Sequence, residues 1–392
     1  MESGPITIYG WSFNEVYITF KDDITDFSEA FDGCDALTEI PENLFANCPK
    51  VNTFFQTFAL CKSLKSIPTG LFAHNPEVTD FSGTFMDCST LKSIPENLFA
   101  NCPKVTDFSE TFDGCAKLTS IPENLFANCP KVTTFGRHSR AYISGAFSNC
   151  TSLTTIPEKL FAHNPEVTNF YGTFQSCTSL KSIPENLFTN NPAVTSFAYT
   201  FAECRSLTSI PENLFANNPE VTNFSGTFWK CSALKSIPEN LFASNPKVTS
   251  FNGTFYGCSA LTAIPEGLFA NNPKVISLYR TFEGCKSLKS IPEQLFANNT
   301  EVTNFSGTFA EGTALISIPA GLFDNNRKVS DFSYTFYGCS ALTGESPYTM
   351  IGDQKVHIYE RNNYLYIFSK IENRTGTFSG CNGLTDLQSN SI

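Results

Sequence analysis

Fifteen cysteines and four histidines are the residues of this 392-residue chain with the most direct claim to chemistry. Thiolates and imidazoles bind metals, and together they form nucleophile–base pairs. Twelve of the cysteines share one context, three residues after the second Phe position of a repeated F-x-x-x-F-x-x-C pattern whose first position is not always Phe: Cys34, Cys61, Cys88, Cys115, Cys150, Cys177, Cys204, Cys231, Cys258, Cys285, Cys339 and Cys381. No CxxC pair and no Cys/His cluster accompanies them, so a zinc site has no support. If these positions stack on one another, their Cβ vectors run parallel, which suits a disulfide in distance but not in direction. The expected arrangement is a ladder of buried thiols. Of the histidines, His74 and His163 fall in a column that is otherwise Asn apart from Ser244, and His138 and His357 stand apart. No Ser/His/Asp or Cys/His arrangement follows from their spacing, and no P-loop or dinucleotide fingerprint is present. No enzyme activity, cofactor or metal is expected.

A carboxylate column follows the recurrent prolines: Glu42, Glu96, Glu123, Glu158, Glu185, Glu212, Glu239, Glu266 and Glu293. Calcium needs several carboxylates converging in one loop, whereas this column supplies one per repeat. It reads as dipole complementation and solubility.

The elements that must position these columns come from one period. Ile-Pro recurs every 27 residues from Ile40 to Ile318, apart from one interval of 35 between Ile121 and Ile156. Such a period marks a solenoid or an array. Twelve units begin at Ile24, Val51, Val78, Val105, Val132, Val167, Val194, Val221, Val248, Val275, Val302 and Val329. In each, V-T-D-F and L-K-S-I alternate apolar and polar residues like short strands. S-G-T-F-x-x-C between them reads as a tight helical turn, and P-E-N-L-F-A-N-N-P as a short helix. One coil cannot bury its own apolar face, so stacked coils share a core. The expected fold is a leucine-rich-repeat-like α+β solenoid of about twelve coils with short strands and short helices, capped at both ends.

Residues that obey the repeat encode the scaffold, so the departures are the candidate binding residues. Tyr171, Tyr199, Trp229, Tyr256 and Tyr279 add an aromatic ring to five successive units, at unit positions 5, 6, 9, 9 and 5. Positions 5 and 9 share a helical face, which predicts a rough stripe of exposed rings. Tyr and Trp anchor protein partners, and flat rings also suit sugars. The second departure is an eight-residue insertion near residues 136–143 that brings Arg137, His138, Arg140 and Tyr142 onto an acidic chain. Insertions of this kind map to loops on one solenoid face.

Cys48, Cys102 and Cys129 occupy a column otherwise filled by Asn75, Asn164, Asn191, Asn218, Asn245, Asn272, Asn299 and Asn326. What Asn and Cys share is small size and a hydrogen to donate to buried carbonyls. An Asn-or-Cys position in a Leu-rich coil belongs to leucine-rich repeats. Here L-x-x-I-P-x-x-L-F-x-x-N/C, joined to F-S-G-T-F-x-x-C-S-x-L, resembles the BspA-like leucine-rich-repeat proteins. The resemblance covers residues 24–343 and resumes at Thr377–Leu384. It implies a curved solenoid at or outside a cell surface, with a role in adhesion or protein recognition and no catalysis. The 27-residue period is longer than is common in that family, and Gly312 interrupts the Cys column.

Residues 1–23 predict paired strands over the first coil, and 344–392 predict a second cap with the apolar runs Lys355–Tyr359 and Tyr364–Phe368. A net charge of -11 argues against nucleic acid or an anionic membrane as partner. No run reaches the roughly 18–20 apolar residues of a membrane span, and no export signal is visible at Met1–Pro5. The expected molecule is a monomeric, surface or secreted protein that binds a protein or glycan ligand on a host or neighbouring cell. Two other readings stand beside it: a carbohydrate-binding surface protein, and a structural or antigenic spacer without a single ligand.

Overall fold

The computed structural model describes residue 20 and residues 23–138 and 143–387. The N-terminal cap expected over 1–23 therefore lies almost wholly outside the described residues. The chain divides into two units, 1–196 and 197–392, taken here in turn.

In the first unit one parallel bridge per coil links Asp26, Thr53, Asp80, Asp107, Thr134, Asn169 and Ser196 in succession. The V-T-D-F strand shrinks to this single residue because the chain bends on both sides of it. Thr79 N–H reaches back to Asn52 O (2.8 Å), while Phe81 N–H reaches forward to Asp107 O (3.1 Å). Amides through the following turn then alternate their partners. Phe54, Gln56, Phe58 and Leu60 donate to the next coil, at Asp80, Ser82, Thr84 and Met86, and the residues between them close turns within their own coil. Gln56 and Leu60 carry φ of 50° and 58°, and the equivalent residues of the next coil, Gly83 and Asp87, carry 64° and 56°. Two left-handed residues per turn forbid a right-handed helix. The P-E-N-L-F-A-N-N segment is likewise a run of three-residue turns, such as Leu71 N–H to Pro68 O and Ala73 N–H to Gly70 O. The expectation of short helices in every coil is thus corrected: the single helix among the described residues is the 3-10 turn Ile358–Asn363.

Phenylalanine fills the core in three columns, which accounts for its 39 copies. Phe54 stacks on Phe81 at 5.6 Å, Phe58 on Phe85 at 5.6 Å, and Phe72 on Phe99 at 6.0 Å. Phe72 also meets Phe54 at 4.7 Å and 51°, so the columns interlock. Between them, Cys61, Cys88, Cys115, Cys150 and Cys177 each donate Sγ–H to the Phe carbonyl of the coil before, at 3.2–3.3 Å.

The second unit repeats this plan through bridges among Asn223, Ser250, Ser277, Asn304, Asp331 and Asn373. Its Asn column shows the donor role plainly: Asn245 Nδ2 donates to Phe215 O (3.1 Å) and Asn218 O (2.9 Å). Cysteine in the same column of the first unit does this weakly, with Cys102 Sγ at 3.9 and 3.8 Å from its two carbonyls. Asn245→Ala strands two buried acceptors and is expected to cost about 2 kcal/mol or more. Asn245→Cys should fall between Ala and wild type. Urea unfolding that ranked Cys with Ala would contradict the donor account.

Beyond Leu342 the pattern changes. β3 (Thr343–Gly344) pairs in parallel with β6 (Gly383–Leu384), and β4 (Tyr348–Ile351) pairs antiparallel with β5 (Gln354–His357). The run 355–359 passes from β5 into the 3-10 turn, and 364–368 forms no strand. Arg361, 3% exposed, donates to Phe323 O (2.9 Å) and Asn326 O (3.2 Å). Those are the bonds an Asn from a following coil would make.

Candidate functional site

Both sequence departures fall in the same stretch of the coil, the turn at unit positions 5–10. Position 6 is left-handed in coil after coil, and glycine suits it: Gly226, Gly253 and Gly307 have φ of 60–64°. Tyr199, Arg280 and Tyr334 occupy that position with φ of 56° each. A side chain there costs roughly 1–2 kcal/mol over glycine. Large side chains then lie over the position-6 glycine of the next coil. A Cβ on Gly226 would meet the Tyr199 ring at 2.3 Å, and one on Gly253 would meet Trp229 at 2.7 Å.

The result in the second unit is an aromatic ladder. Trp229 and Tyr256 stack at 3.8 Å with 10° between planes, and Tyr199 leans on Trp229 at 6.4 Å. Arg280, from the coil after Tyr256, lies 5.3 Å from the Tyr256 ring centre and 5.6 Å from that of Tyr279. Glu283 holds the guanidinium through Nε (2.5 Å) and Nη2 (2.9 Å). Burial pushes the Glu283 carboxyl up, against the pull of Arg280. Burial likewise raises the Tyr256 hydroxyl, with the Glu283 charge adding to it. Tyr256 thus sits between the indole of one coil and the guanidinium of the other. Tyr199, Trp229 and Tyr256 are half-buried, and Tyr279 is exposed. Tyr334 and Tyr337, two coils further on, form an exposed edge-to-face pair at 5.7 Å.

Tyr171 departs from the expected stripe. It belongs to the first unit and is buried, 7% exposed. The base of the insertion lies against it: a Cβ on Gly136 would come within 1.6 Å of Tyr171 O. The insertion is a hairpin, β1 (Gly136–His138) antiparallel to β2 (Ile143–Gly145). Gly145 is pressed against Thr173 in the same way, so both glycines are needed for the hairpin to emerge between coils. Arg137 pairs with Asp107 at 3.3 Å. The backbone of His138 ends β1, while Arg140 and Tyr142 lie outside the described residues.

The C-terminal segment gathers a Ser/His/Asp set that spacing did not reveal. Ser346 Oγ lies 2.8 Å from His357 Nδ1 and donates to Asp386 Oδ2 at 2.5 Å, and that oxygen is 3.2 Å from Nδ1 as well. A catalytic triad puts the nucleophile and the carboxylate on opposite ring nitrogens. Here both meet the same nitrogen, the serine proton goes to the carboxylate, and Ser346 is 1% exposed. The set pins β4 and β5 to the segment after β6. Its carboxyl is held low, because hydrogen bonds from Ser346 outweigh burial.

Elsewhere, His74 lines an open groove of the repeat prolines Pro49, Pro76, Pro103 and Pro130 with no second titratable side chain. Among the described residues no group of three His, Cys, Asp or Glu is placed to hold a metal ion. No helix among them is long and apolar enough to cross a membrane.

Parallel single-residue bridges, a buried Asn/Cys column and stacked Phe and Leu define a leucine-rich-repeat solenoid. A family model described as BspA type leucine rich repeat region matches residues 7–133 and 151–342 in six copies. The chain therefore belongs to the BspA-type leucine-rich-repeat family, as the sequence motif predicts. Solved structures of similar fold include a leucine-rich repeat protein from Bacteroides ovatus, 19% identical over 84% of this chain and 79% of that one, TM-score 0.35. A leucine rich cell surface protein from Faecalibacterium prausnitzii is 18% identical over 91% of this chain and 84% of its own, TM-score 0.33. The Toll–Spatzle complex of Drosophila matches at 17% identity over 90% of this chain, TM-score 0.42, and this chain spans 42% of the matched length. No curated protein is matched. The family fits a non-enzymatic repeat protein.

Proposed function

We propose that this is a surface-exposed or secreted recognition protein that binds a macromolecular partner through the turn face of its coils. In this reading about twelve coils over residues 24–343 form the scaffold, with 1–23 and 344–392 as caps. The observation that carries it is the aromatic ladder of Tyr199, Trp229, Tyr256, Tyr279 and Arg280. Two of its members, Tyr199 and Arg280, place large side chains at the left-handed position that Gly226, Gly253 and Gly307 hold in sibling coils and that Glu29, Gln56 and Glu110 also occupy. Stacking geometry favours a protein partner over a glycan: sugars lie on open ring faces, and here Tyr256 is covered on both sides by Trp229 and Arg280.

The test is binding of the wild-type chain to arrays of extracellular proteins and of glycans, repeated with Trp229→Ala/Tyr256→Ala. Affinity for a protein hit is expected to fall by about 2 kcal/mol or more, the hot-spot scale. Stability should fall by only about 0.5–1.5 kcal/mol, the worth of one stacked pair. Lys235→Ala, an exposed consensus position, should leave binding unchanged. A hit on glycans alone would transfer the site to the carbohydrate reading, and silence on both arrays would support a spacer.

A further inference from the structure

The insertion hairpin of the first unit is seated on carboxylates that partner recognition does not require. Ser144, on β2, donates Oγ–H to Asp113 Oδ2 at 2.5 Å, and Asn149 donates to Asp113 Oδ1 at 2.8 Å. Asp113 belongs to the preceding coil and faces a dense set of charges. Asp87, one coil further back, lies so close that a Cβ on Gly114 would fall 2.1 Å from its Oδ1. Glu110 and Asp107 come from the same coil as Asp113, and Arg137, on β1, pairs with Asp107 at 3.3 Å. Hairpin seating thus covers a carboxyl that has two like-charged neighbours.

We propose that the β1–β2 hairpin is a pH-responsive element whose seating tightens when the Asp113 carboxyl takes up a proton. Covering this group removes it from water, which favours the neutral form. Its hydrogen bond to Ser144 survives protonation with the donor reversed, because a hydroxyl both donates and accepts. Burial, reinforced by Asp87 and Glu110, raises the Asp113 carboxyl from 3.8 to about 6. With the hairpin lifted, the carboxyl returns to water and falls toward its ordinary value. The seated form therefore holds the proton more tightly, and seating weakens as pH rises through about 6. Between pH 7.5 and pH 5 the seating equilibrium should shift about tenfold by this linkage.

Hydrogen exchange of the full chain, corrected for intrinsic rates, tests this on peptides spanning residues 134–147. Protection is expected to be about tenfold higher at pH 5 than at pH 7.5. Asp113→Asn should give the low-pH protection at both values, which separates Asp113 from any titration of His138. Equal wild-type protection at both values overturns the proposal, as does pH dependence that persists in Asp113→Asn. Should that variant fail to fold, judged by exchange across residues 51–104, the wild-type titration from pH 4.5 to 8 decides alone. A midpoint near 6 supports the proposal, and a flat profile ends it.

Discussion

Raising the pH from 8 to about 10.5 should unfold this protein steeply. Besides the half-exposed Cys34, twelve cysteines have thiols pushed up by burial: Cys61, Cys88, Cys102, Cys115, Cys129, Cys150 and Cys177 in the first unit, and Cys231, Cys258, Cys285, Cys339 and Cys381 in the second. Those of Cys61, Cys129, Cys285 and Cys339 stand at about 12, and that of Cys381 at about 11, against an ordinary 9.0. A folded chain keeps these protons where an unfolded chain releases them. The stability they supply is complete below pH 9 and drains away as pH climbs toward 12. Each thiol contributes about 1.4 kcal/mol per pH unit in that window. Seven thiols in one unit and five in the other give slopes of roughly 7–10 kcal/mol per pH unit, comparable to the whole stability of a domain. Tyr199, Tyr256 and Tyr359, raised chiefly by burial, act in the same direction.

Circular dichroism and alkylation read this together. At pH 8 labelling should be slow at all buried thiols, and faster at the half-exposed Cys34. Near pH 10 loss of structure and full labelling should coincide, and returning to pH 8 anaerobically should reverse both. Intact structure at pH 11 with thiolate absorbance developed would contradict a buried ladder. Few reactive thiols in a denatured, unreduced sample would show that the column pairs after all.

The scaffold was legible because each coil obeys the same rule: apolar period, Asn/Cys column and Phe positions locate the core without coordinates. What the pattern concealed is how the backbone closes its turns. S-G-T-F-x-x-C looks helical by composition. Yet its amides are shared alternately between its own coil and the next, and two left-handed residues per turn make that possible. Glycine at Gly83, Gly226 and Gly253 held that signal, and the tyrosine at Tyr199 obscured it. Trp229 and Tyr256 were expected side by side and stack at 3.8 Å. Tyr171 was not separable from them in sequence, since its burial and the close approach of Gly136 to its backbone arise only in three dimensions. Arg361 is the plainest omission. It stands outside the repeat, so no column flags it, yet it donates to the carbonyls that an Asn would otherwise reach. Ser346, His357 and Asp386 likewise come from segments 11 and 29 residues apart (357 minus 346, 386 minus 357), a separation with no motif.

Phe242→Ala should be among the most damaging single substitutions in the second unit. Its ring has no exposed surface. It meets Phe224 and Phe251 at 4.7 Å each, Phe215 at 6.2 Å, Phe255 at 6.3 Å and Phe269 at 6.4 Å. Those neighbours belong to three coils and two other columns, so truncation opens a cavity that no single side-chain movement can close. Backbone bonds from coil to coil, such as Phe224 N–H to Ser250 O at 3.1 Å, hold the coils at fixed spacing and limit collapse further. Rigid surroundings place the cost toward the upper part of the roughly 3–5 kcal/mol typical of Phe→Ala. A solenoid also transmits the loss unevenly, because each coil is stabilised only by its neighbours. Exchange should therefore accelerate first in the coils containing Phe215, Phe242 and Phe269. Glu212→Ala is the matched control, an exposed member of the carboxylate column whose removal should shift the melting midpoint little. Equal melting of the two variants would mean that Phe242 does not lock the columns together, and that the aromatic stacks are a consequence of the coil rather than its support.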